Sequence, residues 1–155
     1  MPVQSSYNQN QRPAVEGMIA NTEPKLLISR TIEDATGVGF GKVVQQGSAD
    51  ETCTADLATS AMDAFKFLGV TVRDRSVRPE TPNKFAQRES VQIMRKGVIW
   101  VTVAGAVAAG TDVTVTLATG VLGSASVGAG VVAIPGARWE SSTSGAGLAK
   151  LRLAG

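Results

Sequence analysis

Short apolar stretches separated by glycine turns run through most of the chain. Residues 113–117 alternate strictly between apolar and polar side chains, the pattern of a strand with one buried face. β-Branched side chains, which favour strands, dominate residues 98–103. A turn is expected at Lys96 and Gly97, and a loop over residues 48–60. Further strands are predicted at residues 25–32, 42–46, 65–73, 90–94, 131–134 and 148–153. The pattern predicts an all-β protein, most simply a jelly-roll-like β-sandwich.

The first 21 residues lack this pattern and are rich in Gln, Asn and Ser. Pro2 and Pro13 also discourage a continuous helix or a central strand. We therefore predict two parts, a polar N-terminal arm over residues 1–21 and a single β domain over residues 22–155.

The arm has two interpretations. It is either a frayed end or a segment that orders on the surface of a partner, because its apolar side chains have no neighbours in sequence. In the second case residues 12–21 become fixed and the first six residues stay looser. The candidate contact residues are Tyr7, Arg12, Val15, Met18 and Ile19.

Composition argues against catalysis. The 155 residues include no histidine, which excludes His-based acid–base and nucleophilic sites and most zinc geometries. The one cysteine, Cys53, lies near Asp50, Glu51 and Asp56, whose charges disfavour a thiolate. These carboxylates lack the order of a calcium-binding loop. We predict no enzyme activity, no metal site and no cofactor.

A glycine-rich segment at residues 37–42 resembles a phosphate-binding loop only superficially. That loop needs Ser or Thr after its Lys, between a strand and a helix. Here Val43 follows Lys42, and the next residues favour a strand. The segment is therefore interpreted as a turn that enters a strand.

Charge is distributed unevenly. Residues 1–65 carry four basic and eight acidic side chains, net −4, whereas residues 66–96 carry eight basic and three acidic ones, net +5. Pro79 and Pro82 indicate that part of the basic stretch projects as a loop. Its candidate contact residues are Arg73, Arg75 and Arg78. Nucleic acid, an acidic protein surface and plain solvent are the alternatives. An acidic protein surface is favoured, because residues 73–96 contain a single interleaved aromatic residue, Phe85, where single-strand binders use several stacking rings.

Residues 97–137 contain a single charged side chain, Asp112. This stretch is too long to be entirely interior in one domain of this size, so another chain is expected to cover part of it. We predict a homo-oligomer, with a dimer favoured and a trimer possible.

Neither a leader nor a membrane span is predicted. The N-terminus lacks the basic start and apolar stretch of a signal peptide. The longest apolar stretch, residues 98–109, is much shorter than the roughly 20 residues that span a bilayer. We expect synthesis in a cytoplasm and no membrane partner.

Five segments, taken in order, resemble the cement or head-decoration proteins of tailed bacteriophages. The first is Ala-Val-Glu-Gly-Met-Ile-Ala-Asn, and the second is Val-Gly-Phe-Gly-Lys-Val-Val, with Gly39 where many relatives have Pro. Together the five cover nearly the whole chain, at residues 14–21, 38–44, 67–74, 109–113 and 136–140 with 147–153.

The resemblance implies a non-enzymatic β-rich protein on the outer surface of a phage head. Such proteins clamp neighbouring subunits of the major capsid protein, so the implied location is the virion after synthesis in the bacterial host. The arginine-rich loop would then face protein rather than the packaged nucleic acid. The main alternative is a carbohydrate-binding module of a phage tail or baseplate, although Trp100 is expected in the core. A small β-fold nucleotide hydrolase is a second alternative.

Overall fold

The computed structural model describes residues 14–57 and 66–154. Within these ranges the regular elements are all strands, which confirms the all-β prediction. In chain order the strands are β1 (Leu26–Ile32), β2 (Val38–Gly39), β3 (Val43–Gln46), β4 (Thr52–Thr54), β5 (Phe67–Thr71), β6 (Lys84–Phe85), β7 (Ser90–Val103), β8 (Asp112–Thr116), β9 (Val121–Gly123), β10 (Val131–Trp139) and β11 (Gly147–Ala154).

Strand β7 connects the two halves of the fold. The large sheet has the order β1-β4-β3-β5-β7-β11-β10-β8-β9, and β1 also pairs with β7. This extra pairing closes strands β1, β4, β3, β5 and β7 into a barrel-like half. On the other side β9 meets β7 through Val103 and Leu122, which closes a second half. The short strands β2 and β6 form a separate pair. The sheet is thus a barrel-like sandwich with one strand common to both halves.

The turn expected at Lys96 and Gly97 is wrong, because β7 runs through both residues. Gly97 has φ +126°, a conformation that side-chain-bearing residues rarely adopt. Beyond this point β7 exchanges its partners: residues 90–96 pair with β1, and residues 96–103 pair with β11. Pairing on both sides keeps the chain extended where its local sequence favours a reversal.

Two hydrophobic clusters form the core, and β7 contributes to both. The larger cluster includes Ile99, Val101 and the fully buried Trp139. The smaller one includes Ile93 together with an edge-to-face aromatic pair whose ring centroids lie 5.1 Å apart, Phe40 and Phe85. The shared strand therefore couples the packing of the two halves.

The two described ranges contain no helix that is long and apolar enough to cross a membrane.

Candidate functional site

Residues from two separate sequence predictions line one groove on the protein surface. We call it the arm groove; its volume is about 310 Å³ and its lining consists of Val15, Met18, Ile19, Val72, Arg73 and Arg75. Three of these residues come from the predicted arm, and two come from the predicted basic loop. The fold thus joins apolar and basic side chains that lie more than fifty positions apart in sequence.

The arm side of the groove is held by β7. Gly17 donates a backbone hydrogen bond to the Trp100 carbonyl oxygen at 2.8 Å, and the Trp100 amide donates to Met18 at 2.8 Å. Ala20 donates to Val98 at 2.9 Å. Residues 17–20 therefore extend the sheet as a short antiparallel segment, although composition assigned them to the arm. The boundary between arm and domain stays a prediction.

A close backbone approach joins this segment to the turn after β2. Gly17 has φ +79°, and a Cβ atom built on it would lie 2.7 Å from the Phe40 Cβ and 2.9 Å from the Gly41 nitrogen. The Arg73 amide donates to the Gly17 carbonyl oxygen at 2.8 Å. Lys42 forms an ion pair with Glu16 at 2.6 Å. Glycine is thus required at position 17 by both conformation and space.

Thr71 fixes the same turn from the opposite side. Its hydroxyl donates to the Gly39 carbonyl oxygen at 2.8 Å and accepts from the Lys42 amide at 2.9 Å. Its carbonyl oxygen accepts from the Gly41 amide at 2.8 Å. The first three of the five recognised segments therefore meet beside the arm groove. The glycine-rich segment is a packed turn, as its sequence interpretation expected.

The candidate arm contacts have different environments. Tyr7 and Arg12 lie outside the described residues. Val15 and Met18 are 40% and 47% exposed, which is high for large apolar side chains. Ile19 is half-buried and packs against the larger core cluster. Val15 and Met18 are therefore the described apolar contacts open to a partner.

The three candidate arginines do not act as one group. The Arg73 guanidinium carbon lies 4.8 Å from the centre of the Phe40 ring, a cation–π contact that orients the side chain along the groove. Arg75 is exposed at the edge of the groove. Arg78 instead pairs with Glu89, with Nε and Oε1 3.6 Å apart, and does not line the groove.

The backbone between the two groove arginines is held by Asp74. Its carboxylate accepts hydrogen bonds from the Ser76 amide and the Ser76 hydroxyl, both at 2.8 Å. These bonds, the amide bond first, lower the pKa of Asp74 below its usual value. Asp74 is thus engaged with Ser76. Among the described residues, neither Arg73 nor Arg75 forms an ion pair with a carboxylate.

A second surface is almost free of charge. Within residues 97–137, Val121 and Val127 are 40% and 58% exposed. Asp112, the single charge of this stretch, forms an ion pair with Arg138. Shallow depressions on both sides of Val121 are lined mainly by small uncharged residues around Ala104 and Leu122. We call this area the neutral surface.

The environment of Trp100 differs from the expectation. It is half-buried rather than part of the core, and the Lys150 ammonium lies 5.2 Å from the centre of its ring. The reason is the alternation of strand β7: Ile99 and Val101 are fully buried, so the Trp100 side chain lies on the opposite face of the strand. Trp139 is buried, and its indole donates to the Gly123 carbonyl oxygen at 3.3 Å.

Cys53 is buried in the smaller core cluster. Burial raises the pKa of its thiol to about 12, and the charges of Asp34 and Glu33 act in the same direction. A raised thiol pKa is also expected from the sequence, but there it follows from Asp50, Glu51 and Asp56 rather than from burial, Asp34 and Glu33. Among the described residues, no group of three acidic, Cys or His side chains is arranged to hold a metal ion.

Comparisons with known proteins give a consistent result. The family described as "Structural cement protein (E217 gp24/Pam3 gp6)" matches residues 3–154. A chain from the solved structure "The capsid of Myoviridae Phage XM1" is similar with a TM-score of 0.76 and 15% sequence identity, over 99% of this chain and 98% of that chain. No curated protein matches the sequence.

The chain is therefore a structural protein of the bacteriophage capsid. More specifically, it belongs to the structural cement protein family, which confirms the resemblance seen in the five segments. The family places it in the virion and in association with capsid proteins.

Proposed function

We propose that this protein binds the outer surface of the phage head and cements neighbouring subunits of the major capsid protein. The observation that carries the proposal is the exposure of Val15 and Met18 on a segment that the body holds rigidly. Exposed apolar side chains on a fixed backbone lose little conformational freedom when a partner covers them. They therefore suit a permanent contact with a shell.

Cementing follows from the interface that binding adds. A protein that contacts two capsid subunits at once stabilises the assembled shell, because separating the subunits must also break those contacts. This role needs shape and contact area and uses no catalytic group. We accordingly propose a non-enzymatic protein without a cofactor, without a nucleic-acid or membrane partner, made in the cytoplasm of the bacterial host.

We also propose that the protein self-associates, as a homodimer in preference to a trimer. The neutral surface supports this assignment, because a two-fold axis brings each patch against its own copy. A charged patch would then meet like charge, whereas an uncharged patch around Val121 and Val127 meets no such repulsion.

Reconstitution on expanded capsids that lack the protein tests the proposal. Added protein is expected to saturate the capsids, and electron microscopy should show new density outside the shell at junctions between subunits. Density inside the shell, or none after saturating addition, would refute the outer-surface role. Light scattering of the free protein tests self-association separately, where a monomer at working concentration would refute the dimer.

A further inference from the structure

We infer that the arm groove is a single composite binding site for an acidic segment of the major capsid protein, in which an apolar side chain lies close to a carboxylate. This inference rests on the proposed capsid role and specifies what the groove recognises there. It replaces two independent sets of contacts, one on the arm and one on the loop, with one site.

The apolar half of the site is ready to accept a side chain. Val15 and Met18 are exposed, while Ile19 and Val72 are supported from below by the larger core cluster. A partner side chain placed between them is covered on several sides, and the flexible thioether of Met18 adapts to its shape. Burial of apolar area supplies the favourable free energy of this contact.

The polar half of the site is a pair of arginines at the rim. Arg73 is oriented by its contact with the Phe40 ring. The residue between the two arginines, Asp74, is held by a hydrogen bond from the Ser76 amide. The described residues provide neither arginine with an ion pair, whereas Arg78 on the same loop is already paired with Glu89. A guanidinium recognises a carboxylate through directed, charge-assisted hydrogen bonds. The groove therefore favours a partner segment that carries negative charge beside its apolar side chain.

A second copy of this chain is a poorer source of that carboxylate. Along the described chain, most acidic side chains are already paired or hydrogen-bonded within the same molecule. These are Glu16, Glu23, Glu33, Asp34, Glu51, Asp74, Glu89, Asp112 and Glu140. Using one of them between copies would compete with an existing contact. An acidic segment of the capsid protein, the partner of the proposed function, is therefore the occupant to which we commit.

Matched substitutions on the full-length protein test the site. Arg75→Gln removes a groove charge, and Arg78→Gln removes a neighbouring charge outside the groove. Met18→Ser and Leu26→Ser form the apolar pair, since Leu26 on β1 is 49% exposed and does not line the groove. All four side chains are exposed, so thermal unfolding should match that of the unmodified protein. The measurement is the affinity of labelled protein for expanded, cement-free capsids.

We expect Arg75→Gln and Met18→Ser each to weaken capsid binding about tenfold, a loss of roughly 1.4 kcal/mol. The control variants Arg78→Gln and Leu26→Ser should stay within about twofold of the unmodified protein. Raising the salt concentration should narrow the difference between Arg75→Gln and the unmodified protein, because screening weakens the arginine contact.

Three results would overturn the inference. If all four variants bind capsids as the unmodified protein does, the groove is not the site, although the cement role stands. Equal losses for Arg75→Gln and Arg78→Gln would indicate general attraction by positive charge. A change of oligomeric state in Met18→Ser would show that a second copy occupies the groove. Failure of the unmodified protein to bind capsids refutes the proposed function itself.

Discussion

Replacing Gly17 with alanine should destabilise the protein by disrupting the joint between the arm segment and the body. Two costs add. The residue has φ +79°, where a Cβ atom costs about 1–2 kcal/mol. The new Cβ would also lie within 3.0 Å of the Phe40 Cβ and of the Gly41 and Arg73 backbone nitrogens. None of these atoms is the end of a flexible side chain, so the segment itself must move.

That movement weakens the two backbone hydrogen bonds of Gly17, with Trp100 and Arg73. Each contributes about 0.5–1.5 kcal/mol. Together with the conformational cost, the expected loss in free energy of unfolding is about 2–5 kcal/mol.

Two other glycines separate these contributions. Gly110 has φ +84° with open space around it, so Gly110→Ala should show the conformational cost alone, about 1–2 kcal/mol. Gly105 has open space and no positive φ, so Gly105→Ala should be close to neutral. Urea denaturation followed by tryptophan fluorescence at one protein concentration measures all three. A loss for Gly17→Ala no larger than that for Gly110→Ala would refute the close approach.

Three further predictions follow from the structure. Hydrogen bonds from Ser48 and Thr52 lower the pKa of Glu33 below its ordinary value of 4.5. The stabilisation of the folded protein by these bonds is therefore present above pH 4.5 and is lost as the pH falls through the lower pKa of the folded state. Glu33→Gln should flatten this loss of stability at acid pH in a pH series of denaturation curves. Cys53 should resist a thiol reagent at pH 8 in the folded protein and react in urea, and rapid labelling without denaturant would contradict its burial. Deleting residues 2–13 should preserve the denaturation midpoint but weaken capsid binding at least tenfold, whereas unchanged affinity would make that segment a frayed end.

The deletion proposed above ends at residue 13 rather than at the end of the predicted arm, because the structure holds the last part of that arm in the sheet. The sequence assigns residues 1–21 to a separate arm, because nothing near Val15, Met18 or Ile19 in sequence packs against them. On that assignment alone, deleting residues 2–20 should leave the β domain folded. The packing partner is distant: β7 binds residues 17–20, and Arg73 binds Gly17. A deletion to residue 20 would therefore remove part of the sheet. Contacts over such separations leave no local pattern in a sequence.

Strong local patterns predicted the strands well, and weak ones did not. The alternation of residues 113–117 corresponds closely to β8, Asp112–Thr116. Strand β4, Thr52–Thr54, lay within a predicted loop because three polar and small residues carry little periodicity. Its place is fixed by pairing with β1 and β3. The turn predicted at Lys96 and Gly97 is wrong because pairing with other strands again overrides the local sequence: β1 and β11 keep β7 extended through both residues.

The sequence predicted individual residues of the candidate site but not that they lie together in one groove. Apolar residues isolated in a polar segment indicated Val15 and Met18 among the arm candidates, and a proline-flanked basic stretch indicated Arg73 and Arg75. Their meeting in one groove depends on Gly17 and Gly41 approaching closely. Sequence also grouped Arg78 with the other two, because pairing with Glu89 depends on the fold of the loop.

The cement role is tested most directly by the strength of the shell. Filled heads assembled without this protein should release their DNA at a lower temperature than heads that carry it. Adding the purified protein back should restore the higher release temperature, with full effect when its binding sites on the shell are saturated. If saturating protein binds the heads but leaves the release temperature unchanged, it decorates the capsid without cementing it.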